Sequence, residues 1–114
     1  MLSVHTSYYR LCIPGLNLTG TKYVDQGKAI RLVCHVTGAI RAPDGIDWFK
    51  DGESIETSNH RWSDRTVILK ETMGRTFRSE LIIKQSVIED AGIYICRGSD
   101  LSVNSLRVDV LSSK

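Results

Sequence analysis

The stretch Asp90-Ala91-Gly92-Ile93-Tyr94-Ile95-Cys96 decides how this chain is read. It opens with a turn and continues as an alternating strand. Successive side chains of a strand point to opposite faces. Gly92, Tyr94 and Cys96 therefore share one face, and Ile93 and Ile95 share the other. Upstream, Ile30-Arg31-Leu32-Val33-Cys34-His35-Val36 alternates in the same way. There Ile30, Leu32, Cys34 and Val36 share a face from which Arg31 and His35 point away. Between the two cysteines lies Trp48, in Ile46-Asp47-Trp48-Phe49-Lys50.

A Cys, then a Trp, then an Asp-x-Gly-x-Tyr-x-Cys, in that order, resembles the immunoglobulin domain over roughly residues 20–111. The resemblance implies an all-β fold: a two-sheet Greek-key sandwich with one inter-sheet disulfide, joining Cys34 to Cys96. It implies that Trp48 packs on that bridge. It makes Tyr94 a tyrosine corner, with its hydroxyl bonded to backbone upstream. It makes Asp90 the partner of a basic residue that opens an earlier strand, Arg65 first and Arg61 as the alternative. Gly92 belongs to the same motif. The inward parity of both cysteines suits a bridge between sheets about 10 Å apart. Closing so long a loop contributes on the order of 4 kcal/mol. Room for two extra short strands between Trp48 and Cys96, with the tight Asp51-Gly52 turn, resembles the intermediate-set (I-set) type found in adhesion proteins, receptors and muscle proteins.

The chain has 114 residues and a net charge of +2, which fits one domain and gives no clustered basic face. That argues against nucleic acid or a membrane surface as partner. No apolar run approaches the roughly 18 residues of a membrane span. The start, Met1 to Tyr9, has neither the basic nor the apolar region of a signal peptide. Either a signal has been trimmed or the chain is cytosolic. A cysteine pair at these positions suits an oxidising compartment, so the expected location is extracellular, secreted or at the cell surface. Cys12 is left over, read first as an unpaired leader residue or one that lost its partner to truncation, with a reactive free thiol or an intermolecular bridge as the alternative.

Residues 1–21 read as an N-terminal extension and 22–112 as the domain. Within the extension, Asn17-Leu18-Thr19 is an acceptor tripeptide for an N-linked glycan. Strands are expected at 28–36, 46–50, 53–56, 65–70 and 76–84, then the opening stretch, then a last strand with Leu106, Val108 and Val110 inward. Glu71 to Arg75 reads as a turn. Trp62, in a polar loop, is either an anchor that pins the loop to the sheet rim or a binding aromatic. The final hairpin is short, which disfavours binding through a long final loop.

The chain offers little chemistry. His5, His35 and His60 are scattered without metal-ligand spacing, and no nucleophile elbow, phosphate loop or carboxylate pair is present. No cofactor, no metal and no catalytic residue are expected, so the chain does not read as an enzyme. The surface is more informative. Trp48, Tyr94 and Cys96 point inward, so Phe49, Ile93 and Ile95 point outward on adjacent strands, where a one-sided sheet is normally polar. They are the candidate binding face; Val33, Ile68 and Ile82 form a weaker group on the opposite sheet. The expected function is protein–protein recognition by a secreted or cell-surface protein, with a protein partner that includes a second copy of the chain. The alternative is a structural spacer in an intracellular muscle or cytoskeletal filament.

Overall fold

A computed structural model describes residues 15–112. The strand β3 (Ile30–Thr37) shows how alternation becomes architecture. Its buried residues are Ile30, Leu32, Cys34 and Val36, and the residues between them face out. The same period builds β4 (Ile46–Lys50), with Ile46, Trp48 and Lys50 buried, and β8 (Gly92–Gly98), with Tyr94, Cys96 and Gly98 buried. The other strands are β1 (Gly15–Gly20), β2 (Tyr23–Asp25), β5 (Glu53–Ser54), β6 (Thr66–Met73), β7 (Thr76–Ile83) and β9 (Val103–Leu111).

They form two sheets, one of four strands in the order β1-β3-β7-β6 and one of five in the order β2-β9-β8-β4-β5. The pairs are antiparallel except β2 with β9. The inner faces enclose a core of Ile30, Leu32, Val36, Trp48, Leu81, Ile83, Tyr94 and Val108 around the Cys34–Cys96 disulfide. The bridged Cα atoms are 6.5 Å apart, as a bond between facing sheets requires. The chain is an all-β, immunoglobulin-like sandwich with its disulfide between the sheets.

Four expectations need correction. The extension does not run to residue 21. Gly15–Gly20 is β1, paired along its length with β3, and Leu18 sits opposite Cys34 with its side chain buried. Its alternation is masked in the sequence by glycines and polar residues at an edge. Residues 1–14, with His5 and Cys12, lie outside the described residues. The strand expected at 65–70 begins at Thr66 and runs on to Met73. Gly74, at φ 58°, allows a two-residue turn that takes the place of the expected five-residue one. The strand expected over Glu53 to Glu56 keeps two residues only. Ile68 points inward: it pairs with Leu81 and packs on the core, so Val67, opposite Ile82, takes its place on the outer face.

Candidate functional site

Trp48 and Cys96 are direct cross-strand partners. The indole Nε1 donates to Ser79 Oγ at 2.9 Å, across the core. Ser79 is itself the cross-strand partner of Cys34. Tryptophan, serine and disulfide thus form one buried link between the sheets. Ser79 was not anticipated. A lone serine on the inner face of β7, between Phe77 and Leu81, is the signal that a buried donor needs an acceptor.

A second cluster closes the end of the sandwich. Tyr94 Oη donates to the Asp90 carbonyl at 2.6 Å. Asp90, on a single 3-10 turn (Ile88–Asp90), accepts Arg65 Nη2 at 2.5 Å and the Val87 N–H at 2.8 Å on the same carboxylate oxygen. The Asp90 side chain is 4% exposed and that of Arg65 33%. Trp62 lies beside this pair and is 3% exposed. It is an anchor, not a contact aromatic. The guanidinium carbons of Arg61 and Arg65 lie 5.3 and 5.9 Å from its ring centroid, within cation–π range. Burial, reinforced by the nearby Asp90 carboxylate, pushes the Tyr94 hydroxyl above its ordinary range.

Asp51 does more than turn the chain. With Gly52 it makes a hairpin turn with both φ values positive, 49° and 87°, the pattern that Asp-Gly favours. Its carboxylate then accepts the Ile93 N–H at 2.9 Å and the Lys50 ammonium at 2.9 Å. These two bonds, the backbone one first, hold its pKa below the usual carboxylate range. A Cβ at position 92 would sit 2.6 Å from Asp51 Oδ2. Gly92, at φ 156°, holds a conformation that other residues rarely adopt, and a side chain there would also displace the Asp51 carboxylate.

The outer face of the five-stranded sheet carries the candidate contact residues. Phe49 and Ile95 are direct cross-strand partners and both are half-buried. Ile93, on the same face, is 43% exposed. Arg97 lies over the Phe49 ring, with its guanidinium carbon 4.8 Å from the centroid. Its Nη2 donates to Asp47 Oδ2 at 3.2 Å. Arg107 stands opposite Ile93, and Ser105 opposite Ile95. Val103, 60% exposed and opposite Arg97, extends the apolar area. Parity along β9 places it outward, since Leu106, Val108 and Val110 point in. β5, at the edge of this sheet, pairs only with Phe49 and Lys50 of β4. There a cleft of about 580 Å³ is lined by Asp47, Phe49, Ile55, Lys70 and Arg97, among others.

On the opposite sheet, Asn17 is exposed on β1 and stands across from His35. Among the described residues no cluster of His, Cys, Asp or Glu could hold a metal ion. No helix among them is long and apolar enough to cross a membrane.

The family model described as "Immunoglobulin domain" matches residues 14–100. No curated protein sequence matches the chain. Among solved structures, the crystal structure of Dpr2 Ig1-Ig2 in complex with DIP-Theta Ig1-Ig3 is similar, with a TM-score of 0.68 and 20% identity. The match covers 89% of this chain and 52% of that one, so this chain spans about half the length of the protein it resembles.

Proposed function

This chain belongs to the immunoglobulin-domain family, and from that premise we propose that it is a non-enzymatic protein-recognition module of a secreted or cell-surface protein. The observation that carries the proposal is the outer face of the five-stranded sheet. Phe49 and Ile95 meet across β4 and β8, with Ile93 and Val103 exposed around them. Arg97 and Arg107 give the patch a polar margin. An apolar centre with charged residues around it is the usual anatomy of a contact surface, and arginine is enriched where binding energy concentrates. The buried ionisable groups Lys50, Asp90 and Tyr94 are engaged in holding the fold rather than poised for chemistry. The buried disulfide favours an oxidising compartment.

The partner we propose is another immunoglobulin-domain protein, because one solved structure similar to this chain is a complex between two such proteins. A standard interface needs about 800 Å² from each side. The test measures binding of the chain to a panel of immunoglobulin-type ectodomains, with sedimentation of the chain alone beside it. Ile95→Asp abolishes the interaction, since it places a charge at the centre of the contact. Leu69→Lys, on the far sheet, leaves it intact. An Ile95→Asp variant that folds and still binds ends the proposal. Association of the chain with itself, lost in Ile95→Asp, replaces the proposed partner with a second copy. A monomer that binds no ectodomain favours the spacer role.

A further inference from the structure

The acceptor tripeptide Asn17-Leu18-Thr19 falls on β1, at the edge of the four-stranded sheet. Leu18 is buried beside Cys34, so Asn17 and Thr19 lie on the outer side, and both are exposed. Cross-strand partners on that side are His35 for Asn17 and Val33 for Thr19. The recognition face belongs to the other sheet and points the opposite way. An edge strand with an outward asparagine has room for a bulky substituent, which the core side of β1 lacks.

We propose that Asn17 carries an N-linked oligosaccharide, and that this glycan stands on the face turned away from the partner. The site rests on the extracellular reading, since the donor is a polyprenyl-pyrophosphate oligosaccharide of the secretory pathway. Asn17 Nδ2 forms a bond to the anomeric carbon of the first sugar. The bond from that carbon to the pyrophosphate oxygen breaks, and its electron pair leaves with the lipid pyrophosphate. The amide proton passes to a base of the transferase. A glycan is bulky and solubilising. Attached to β1, it covers the neighbouring outer side of β3, where Val33 lies half-buried. It thereby confines protein contacts to the five-stranded sheet.

The experiment expresses the full chain behind a cleavable signal sequence in a secretory host. Intact mass is read before and after treatment with a glycan-releasing amidase, on both the secreted and the retained pools. The expected result is a mass shift that Asn17→Gln and Thr19→Ala abolish and Thr19→Ser keeps. Asn17→Gln also binds the partner as the parent does. An unshifted parent with its Cys34–Cys96 bond formed overturns the site, and so does a shift that persists in Asn17→Gln. Loss of binding in Asn17→Gln overturns the placement of the glycan away from the contact. A glycosylated Ile95→Asp variant that still binds ends the recognition proposal and leaves the glycan standing.

Discussion

Ser79 is the residue on which the polar balance of the core rests. Its hydroxyl is fully buried and accepts the Trp48 indole N–H at 2.9 Å. Ser79→Ala leaves that donor unpaired in the interior, which costs about 1–3 kcal/mol. The urea midpoint falls while the slope of the transition stays unchanged. The same logic, with charge added, governs Arg65. Removing it leaves the Asp90 carboxylate buried with only the Val87 N–H. Loss of one partner from a buried pair costs about 3–5 kcal/mol, and partial exposure of Arg65 places Arg65→Ala at the low end. Adding Asp90→Asn recovers part of the loss, because a neutral amide is less costly to bury. Tyr94 adds a pH dependence. Its folded pKa is raised, so its contribution is fully present below the unfolded value of about 10 and is lost as pH rises above it. Melting temperatures of the parent and Tyr94→Phe keep a constant gap from pH 8 to 9, and the gap narrows as pH rises beyond 10.

Among the elements, β8 depends most on its neighbours. Gly92 starts the strand, and the Asp51 carboxylate fills the space where a side chain at that position would lie. Gly92→Ala drives the Asp51 carboxylate from the Ile93 N–H, or displaces β8 from the hairpin. The expected loss is about 1–3 kcal/mol, from the backbone strain of a side chain at φ 156° together with the displaced carboxylate. Asp51→Ser in the same chain relieves the contact, so the double variant is more stable than the sum of the single losses predicts. Equilibrium denaturation of all four proteins measures that coupling. On the other face of β8, the Phe49–Ile95 pair contributes roughly 0.2–1 kcal/mol as a cross-strand contact. Ile95→Asp therefore weakens the domain slightly while removing its proposed contact, and the two effects separate in a melting curve and a binding curve.

At the scale of the molecule, the Cys34–Cys96 bond joins strands of different sheets across a sequence separation of 62 residues. Constraint of the unfolded chain over such a loop contributes about 4 kcal/mol. Reduction with a thiol, and the double variant Cys34→Ala with Cys96→Ala, lower the denaturant midpoint by similar amounts. A small sandwich buries a modest core, so this loss takes a large share of its stability. The same bridge fixes which faces are free. With Cys34, Trp48, Tyr94 and Cys96 all turned inward, the outer side of each sheet is set, and the two faces carry different chemistry. One is apolar around Phe49 and Ile95. The other carries Asn17, with Arg31 and Arg78 both held by Glu80.

Parity and motif alone determined the two-sheet sandwich, the identity of its bridged cysteines and the outward direction of Phe49, Ile93 and Ile95. The strand period is short and local, and the two cysteines and the tryptophan each sit on a strand with unambiguous alternation. What depends on contacts between distant segments was decided only by the tertiary structure. β1 belongs to the sheet because Leu18 finds the disulfide, a pairing that no pattern within Gly15–Gly20 records. Ile68 turns inward because its register against β7 places it opposite Leu81, and a slip of one residue reverses every side chain of a strand. Trp62 is buried because a polar loop folds its ring against the core beside Arg65, although that loop has no periodicity to read. Asp51 reads in sequence as half of a turn. Its second role, tying the hairpin to β8, exists only once the antiparallel pairing of β4 and β8 brings Gly92 beneath its carboxylate.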